Sequence, residues 1–541
     1  MKHLARPFVS VLLLVAVHTQ ATTSFTKVYN LLQTNCAASG CHDGSNTDVF
    51  SVSGTETDVY NALAGIVPAN PAAAAKGYKL IDPGHPYNSF LLRKIGSQFD
   101  SYLALGSDEG ETMPKEKNAL NDYDIELVRQ WILMGARPNT DDVNYVLLQD
   151  YYTNGGLQMI PTPQAPPPGK GMQIRLGPIF LAPGAEVEWD KKEHLHNTAM
   201  IKAYKTDGYM SWESHHMLLF KYDDDGAGVR EGMRLVPSES TPFNGNVTLT
   251  GAWQNDAEFE LPERTAFYWA PNTILEFDYH IKNYSLTEIL PSDFYLNVYF
   301  DTENQRDIEM HAALVNNLLL LLFQGDNTRQ ASDDFTEDRY IYMLSSHTHK
   351  WGTDYDIYLK NPDGTRGQQI YEGFYSETYA FNQGFYDWQH PPIRYFTPLQ
   401  KATNGLLYEV KWNVGAPYVT FGLTANDEMM LFTYLYTTQE VPSVSTGIQQ
   451  AGGEAQPFHI APNPMSEQAE ISFSLAEQAA VKIEVHDMVG KLVATVVDVP
   501  LGKGSYRQPL RLPQDTGNAV YYVSLKVNGA VKGVKPLAVN R

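Results

Sequence analysis

The sequence predicts a multidomain protein with a mainly α first domain, two tandem β-sandwiches and a short strand-rich domain at the carboxyl end. Three observations support this fold class. At about 150 residues per domain, a chain of 541 residues makes three or four domains. Hydrophobic residues make up 43% and charged residues 19% of the chain, which is typical of folded globular domains. The residue pattern changes from one typical of helices to one typical of strands after a proline-rich stretch that ends at residue 170.

The overall charge is strongly acidic. Forty Lys and Arg residues stand against 62 Asp and Glu residues, which gives a net charge of −22. Such a surface repels phosphate backbones, so we expect no nucleic-acid partner. The same charge disfavours binding to an anionic membrane face.

Residues 1–21 have the layout of a secretory signal peptide. Lys2 and Arg6 precede an apolar run over 8–17, and small residues lead to a cleavage point after Ala21. The alternative, an uncleaved membrane anchor, fits less well because the run is shorter than the ~20 residues that span a bilayer. We therefore expect an exported protein, secreted or held on the outer-membrane surface.

Residues 22–145 are helix-like and form the predicted first domain. Asn121 can cap a helix whose apolar face contains Ile125, Val128 and Ile132, and Gly135 ends it.

The remaining boundaries follow changes in composition. A proline-rich linker spans 146–170, and short alternating strands then fill enough chain for two β-sandwiches, at 171–297 and 298–440. A second, polar linker spans 441–458. The last segment, 459–541, is rich in strands again.

Both cysteines of the chain lie in one short motif, Cys36-Ala-Ala-Ser-Gly-Cys41-His42. Two thiols followed at once by a histidine are the arrangement that attaches c-type haem, although the usual spacer is two residues and here it is four. A small-loop disulfide is the alternative in an exported protein. The adjacent histidine and a downstream Met113-Pro114 loop, whose thioether could complete the iron coordination, favour the haem.

The stretch around this motif resembles class I-like cytochrome c domains with a four-residue spacer. Asp82-Pro-Gly, Ser89-Phe-Leu, Met113-Pro and Trp131-Ile have counterparts there. The resemblance implies a mainly α cytochrome c domain with one covalent haem c on Cys36 and Cys41. His42 and Met113 would be its axial ligands. His85 is an alternative sixth ligand, but its Pro-Gly-His-Pro turn is more typical of a surface residue.

Histidines in the middle of the chain form two short patterns. His347-Thr-His349 would place two imidazoles on the same face of a strand, which suits a divalent metal or copper. His215 and His216 are adjacent and would point to opposite faces of a strand, so that one metal could bind both only through different ring nitrogens or an irregular backbone.

The order of four motifs resembles the copper type II, ascorbate-dependent monooxygenases, which include peptidylglycine alpha-hydroxylating monooxygenase and dopamine beta-monooxygenase. These motifs are His-His-Met-Leu-Leu-Phe at 215–220, Tyr-His at 279–280, His-Thr-His at 347–349 and Asp-Glu-Met at 427–429. The resemblance covers about residues 170–440.

The resemblance implies two jelly-roll-like sandwiches and two copper ions. Carried over by position, the ligands would be His215, His216 and His280 for the first copper, and His347, His349 and Met429 for the second. Dioxygen and substrate would react at the second copper, and the first would store an electron. The electrons would come from ascorbate or a redox protein.

Two departures from the family limit what can be carried over. The members are rich in disulfides, whereas this region has no cysteine. The peptide-hydroxylating member has an arginine two residues before His-Thr-His, where this chain has Ser345. A peptide ending in glycine is therefore a doubtful substrate, and the substrate, a small molecule or a peptide, stays unidentified.

The carboxyl segment resembles the C-terminal sorting domain of type IX secretion. The resemblance rests on Ala461-Pro-Asn-Pro, Ile471-Ser-Phe, a Gly490-Lys turn and Tyr521-Tyr-Val. It implies a small antiparallel sandwich of Ig-like form and recognition by the outer-membrane secretion machinery. An ordinary Ig-like accessory module is the alternative.

The sequence thus predicts an exported copper-dependent monooxygenase that hydroxylates a C–H bond with dioxygen. The hypothesis for the haem is that it reduces the coppers, because a tethered one-electron carrier has a high effective concentration at its acceptor. Two other classes stay open: a non-catalytic surface protein for electron transfer or copper binding, and a module that binds carbohydrate or peptide.

Overall fold

A computed structural model describes residues 22–539 except for short gaps at 47–49, 212–213, 227, 241–246, 254–256, 375–392, 423–425, 442–457, 467, 476–477, 487–490, 514–515 and 518. The predicted signal peptide and nearly all of the second predicted linker lie outside these residues. The backbone forms two compact units, Met1–Ser443 and Val444–Arg541, which are described separately. Among the described residues, none of the helices has both the length and the apolar composition that a membrane crossing requires.

The predicted fold class is wrong, because the protein is mostly β, with 47% of residues in strands and 14% in helices. No large helical cytochrome c domain is present in the described part of the chain. Six α-helices of 5 to 13 residues are found among the residues that the structure describes, and long turns separate them: α1 (Ser24–Cys36), α2 (Glu56–Leu63), α3 (Pro71–Ala75), α4 (Phe90–Gly96), α5 (Asp122–Leu133) and α6 (Tyr145–Asn154). The helix predicted after Asn121 is one of these six, but the helices are short and do not make up a mainly α domain.

The helix predicted after Asn121 is present as α5. Ile125, Val128 and Ile132 are all buried, as the spacing predicts. The helix ends before Gly135, whose φ of 98° suits a residue without a side chain. Asn121 occupies the N-cap, but its side chain makes no capping bond to the helix backbone.

The first β-sandwich follows the proline-rich stretch. Its strands are β1 (Gly171–Leu181), β2 (Glu186–His194), β3 (Ile201–Met210), β4 (Ser214–Tyr222), β5 (Met233–Leu235), β6 (Val247–Trp253), β7 (Ala257–Glu260), β8 (Thr265–Trp269), β9 (Ile274–Lys282), β10 (Leu290–Phe300) and β11 (Ile308–Glu309). One sheet, called sheet A, has the order β5-β2-β9-β4-β6, and the other has the order β1-β10-β3-β8-β11, with β7 beside β3. Strand β11 runs parallel to β8.

Alternation along β9 positions the site. Phe277, Tyr279 and Ile281 point into the apolar core that the two sheets share. Asp278 and His280 therefore lie on the outer face of sheet A, since successive side chains of a strand point to opposite faces.

In the second sandwich, the described residues form eight strands in two antiparallel sheets. They are β12 (His311–Asn316), β13 (Leu321–Asp334), β14 (Arg339–His347), β15 (Gly352–Lys360), β16 (Arg366–Phe374), β17 (Arg394–Ala402), β18 (Gly405–Thr420) and β19 (Leu431–Thr437). The sheet orders are β12-β19-β14-β17 and β13-β18-β15-β16. Large aromatic side chains, Tyr355, Trp412 and Phe432 among them, fill the core between these sheets.

The helical region packs directly on the first sandwich. The carboxylate of Asp100 forms one ion pair with Arg129 of α5, at 2.6 Å, and a second with Arg175 of β1, at 2.7 Å. A β-carbon on Gly232 would lie 2.3 Å from the backbone nitrogen of Gly135, so the two backbones touch. The proline-rich stretch is also bound, because Gln173 and Asn297 donate to carbonyl groups within it. The helical region is therefore docked and not loosely tethered.

The part of the second compact unit that the structure describes contains seven strands: β20 (His459–Ala461), β21 (Ala469–Leu475), β22 (Ala479–His486), β23 (Leu492–Leu501), β24 (Gly504–Leu510), β25 (Ala519–Val527) and β26 (Ala530–Val539). They form two sheets, β20-β21-β24 and β23-β22-β25-β26. Alternate residues of these strands, such as Ile471, Ile483 and Val523, fill one core of their own. This unit is a small antiparallel β-sandwich.

Candidate metal centres

The first candidate centre lies on the outer face of sheet A. His280 of β9 is directly opposite His216 of β4 on one side and Glu188 of β2 on the other. The two imidazole rings are 5.1 Å apart between centroids and nearly perpendicular, at 88°. One ligand atom from each of these three residues lies within 4.8 Å of the other two. Three adjacent strands thus present two imidazoles and a carboxylate to one point.

His215 lies on β4, but its side chain is outside the described residues. The structure therefore brings together two of the three ligands predicted for the first copper. It adds Glu188, which the sequence analysis missed. The available signal was the alternation of acidic residues along β2, at Glu186, Glu188 and Asp190.

His216 is held in its neutral form. Burial lowers its pKa well below the usual value, and the nearby imidazoles of His280, His347 and His349 lower it further. A neutral imidazole keeps a lone pair on one ring nitrogen, which a metal ligand requires.

Glu186 supports His280 from the same face. Its carboxylate accepts a hydrogen bond from Nε2 of His280 at 2.9 Å. That bond, together with Lys282, lowers the pKa of Glu186 to about 2. A carboxylate on the second ring nitrogen is the usual support for a metal-binding histidine.

Buried acids continue along the sheet face from this centre. Asp190 and Asp278 are directly opposite each other on β2 and β9, and each is only 1% exposed. Burial raises the pKa of Asp190 to about 6 and that of Asp278 well above its usual value. The first centre thus lies at one end of a row of acidic side chains.

The second candidate centre lies where β14 ends and β19 begins. His347, the last residue of β14, is opposite Leu431, the first residue of β19, and the backbone nitrogens of His349 and Met429 both donate to the carboxylate of Glu428. The rings of His347 and His349 are 5.1 Å apart between centroids, at 87° to each other. Nδ1 of His349 is 3.2 Å from the carbonyl oxygen of Asp427. The chain segments that carry all three ligands predicted for the second copper therefore meet here.

Glu428 fastens these segments together. Its carboxylate accepts hydrogen bonds from the backbone nitrogens of His349, Trp351 and Met429, and from the indole nitrogen of Trp412. The side chain is fully buried, and this burial raises its pKa to about 7 against the opposing effect of those bonds. His349 and Met429 are each 6% exposed, so this centre is largely screened from water.

Gly352 makes the turn after His-Thr-His possible. A β-carbon at this position would meet Oγ1 of Thr348 at 1.9 Å. Only glycine therefore allows the chain to return so closely past Thr348, which lies between the two histidines.

The candidate haem site lies at the end of α1. The backbone nitrogen of His42 donates to the carbonyl of Cys36, which folds the motif into a compact loop. Cys36 is half-buried, Cys41 is exposed, and the two thiols are not joined to each other. Nδ1 of His42 lies 2.7 Å from the carbonyl oxygen of Phe50. A ring that donates from Nδ1 keeps its lone pair on Nε2, so these residues fit covalent attachment and axial ligation of a haem.

Met113 packs against the same apolar core as Cys36. Its backbone nitrogen donates to the carbonyl of Lys94 at the end of α4. Its assignment as the second axial ligand stays a prediction.

His85 is not the surface residue that its turn suggests. Its side chain is 10% exposed, and its two ring nitrogens each lie 3.4 Å from a carboxylate, one of Glu193 and one of Glu231. Glu231 also contacts His194 at 3.1 Å. These contacts connect the helical region to the first sandwich, and they occupy both nitrogens of the ring proposed as the alternative haem ligand.

Comparisons with known proteins give no family assignment. No family model matches the chain, and no curated protein matches it. Among solved structures, the STIV MCP is 10% identical with a TM-score of 0.25, covering 51% of this chain and 100% of that chain. The β-D-glucuronidase of Dictyoglomus thermophilum is 9% identical with a TM-score of 0.16, covering 42% of this chain and 43% of that one. For the β-glucuronidase of Parabacteroides merdae the identity is 9%, the TM-score 0.16, and the coverage 40% and 28%. The alignments span less than half of either glucuronidase, and scores this low support no conclusion about fold or activity.

Proposed function

We propose that this protein is a copper-dependent monooxygenase that hydroxylates a C–H bond of a small molecule or peptide with dioxygen. The observation that carries the proposal is the meeting of two imidazole pairs, His216 with His280 and His347 with His349, drawn from three distant stretches of the chain. Binding of one metal ion by each pair accounts for this arrangement.

The donor atoms fit copper at both places. Imidazole binds both oxidation states of copper, and the soft thioether of Met429 favours the cuprous state. The depressed pKa of His216 keeps its ring available to a metal at neutral pH. When bound, the two coppers supply one-electron storage and the activation of dioxygen.

The overall reaction takes one substrate R–H, one dioxygen, two electrons and two protons, and it yields R–OH and one water. The electrons come from a one-electron donor, either ascorbate, a redox protein or the haem proposed below. The residues of this chain orient and protect the reaction. Glu428 fixes the segments of His349 and Met429, and the low exposure of these two residues keeps bulk water from the reacting atoms.

We propose further that Cys36 and Cys41 hold a haem through two thioether bonds, with His42 as an axial ligand. The hydrogen bond from His42 to the carbonyl of Phe50 supports the ligand role, because it orients the ring and fixes its tautomer. Docking of the helical region on the first sandwich, through Arg129, Asp100 and Arg175, would hold the haem in a constant relation to the coppers. The haem would then deliver electrons one at a time.

Export belongs to the same proposal. The basic and apolar layout of residues 1–21 and the motifs of 459–541 support secretion across the outer membrane, or attachment to its surface. Both copper and covalent haem are cofactors that exported redox proteins carry.

The test is oxygen consumption by the copper-loaded full chain with ascorbate and compounds that have benzylic or α-amide C–H bonds. With ¹⁸O-labelled dioxygen, we expect one labelled oxygen in the product for each dioxygen consumed. His347→Ala should abolish the product while leaving the visible spectrum of the haem unchanged. Copper loading without labelled product from any such compound would favour the alternative of a non-catalytic copper-binding or electron-transfer protein.

A further inference from the structure

We infer that Glu188 is a direct ligand of the metal at His216 and His280, so that the first centre is a carboxylate-bearing centre and not an all-imidazole one. This inference rests on the proposed function only in requiring that His216 and His280 bind a metal. The family resemblance does not include a carboxylate in this ligand set.

The register of sheet A carries the inference. Strands β2, β9 and β4 are adjacent, and Glu188, His280 and His216 occupy directly opposed positions on them. Opposed residues on neighbouring strands point to the same face, so the carboxylate stands beside the imidazoles and is held there by the ladder. Oε1 of Glu188 is 3.9 Å from Nε2 of His216, and its side chain is 17% exposed. A metal ion placed between these atoms would need only small movements of the side chains.

The charge around the centre points the same way. Glu188, Glu186, Asp190 and Asp278 all lie on this face, and Asp190 and Asp278 are almost fully buried. A hydrogen bond between the side chains of Asp278 and Glu188 holds the carboxyl group of Glu188 from the neighbouring strand. The face of sheet A beside the two histidines thus consists of oxygen donors, which suit a divalent cation.

The two centres would then differ in kind. A carboxylate is a hard donor and favours the cupric state, whereas the thioether of Met429 favours the cuprous state. Stabilising the cupric form at the first centre makes an electron stored there easier to release, with the metal oxidised by one electron as the acceptor is reduced by one. Glu188 would therefore help to set the direction of electron flow toward the second centre.

The test measures copper binding and not turnover. Full-length apoprotein carrying His347→Ala is titrated with Cu(II), and the affinity, the electron paramagnetic resonance spectrum and the reduction potential of the first centre are recorded. Adding Glu188→Gln should weaken Cu(II) binding at least tenfold, change the spectrum and raise the potential, while Cu(I) affinity changes less than threefold. Glu188→Asp, which keeps the charge but withdraws the carboxylate, should also weaken Cu(II) binding.

Asp190→Asn is the matched control, because it removes a carboxylate from the same face of β2 without removing a proposed ligand or the support of His280. An equal effect of Asp190→Asn and Glu188→Gln would overturn the inference, since charge alone would explain both. So would an unchanged spectrum and affinity in Glu188→Gln when His216→Ala abolishes binding. If His216→Ala changes nothing, the centre itself is absent, and the proposed function fails along with this inference.

Discussion

The carboxylate of Glu428 lies 2.9 Å from the backbone nitrogen of His349 and accepts its hydrogen bond in a fully buried position. The same carboxylate accepts from the backbone of Met429 at 3.2 Å. One side chain thus connects two ligands that are 80 residues apart in the sequence. Four hydrogen bonds converge on this one buried side chain, so the two segments are held firmly together.

Replacing Glu428 should therefore weaken copper binding at the second centre more than at the first. Glu428→Gln keeps the shape but not the charge, and we expect it to lower the free energy of unfolding by about 1–3 kcal/mol. Cu(I) affinity at the second centre should fall, and copper at the first should be retained. Isothermal titration with Cu(I) and chemical denaturation measure these effects. Asp427→Asn is the control, because Asp427 contacts His349 through its backbone carbonyl. A fall in copper affinity as large in the control would contradict the role given to Glu428.

Gly352 offers a test of the turn that follows His-Thr-His. Gly352→Ala places a carbon 1.9 Å from Oγ1 of Thr348, closer than any real contact, so we expect the turn to shift and the second copper to be lost. Pairing it with Thr348→Gly removes the atoms in conflict and should restore part of the copper content. Metal analysis of the two purified variants checks this. Full copper occupancy in the single variant would show that the turn does not control the centre.

The local elements and the histidine motifs could be predicted from the sequence, because they depend on short patterns. The helix after Asn121 and the strands through His280 and Tyr355 follow from the spacing of apolar residues. The fold class could not be predicted in the same way. The length of each helix depends on where a turn interrupts the helical spacing of apolar residues. The helices of residues 22–154 are short, so this part of the chain is not a mainly α domain.

The residues that become neighbours on adjacent strands could not be predicted from the sequence either. Glu188 and His280 are 92 residues apart, and only the register of β2 with β9 makes them neighbours. The docking of the helical region was missed because His85, Glu193 and Glu231 look like ordinary surface residues until the backbones are packed. Contacts of this kind join residues that are far apart in the sequence, so no periodic pattern of residue types predicts them.

Each histidine pair should hold one copper independently. His216→Ala should reduce the copper content from two per chain to one, and His347→Ala should do the same, while the double variant binds none. Elemental analysis after dialysis against a weak chelator measures this. His311→Ala is the control, since His311 lies on β12 beside Tyr436 and is not a proposed ligand. Loss of both coppers from either single variant would mean that the two sets form one indivisible centre.

Covalent haem should depend on the two thiols. In the double variant Cys36→Ser and Cys41→Ser, we expect no haem that survives denaturation, because no thioether bond can form. The pyridine haemochrome spectrum of the acid-washed protein measures this. Each single variant should retain haem through one bond, with a shifted α band. A wild-type protein that carries no haem after expression with the haem-attachment machinery, and whose two thiols instead form a disulfide, would contradict the assignment.

The contact of His85 with Glu193 and Glu231 should make docking of the helical region depend on pH. Burial alone would lower the pKa of His85, but the two carboxylates outweigh burial and the opposing charge of Lys191, and raise it from 6.5 to about 9. A histidine whose pKa is raised in the folded state stabilises that state fully below its unfolded pKa, and the contribution is lost as pH rises through the folded value. The shift corresponds to about 3 kcal/mol below pH 6.5, at about 1.4 kcal/mol for each pKa unit. We expect His85→Gln to melt well below the wild type at pH 6, and the gap to close by about pH 10. Calorimetry of the full chain at several pH values measures it, and a gap that stays constant across this range would show that protonated His85 does not contribute to docking.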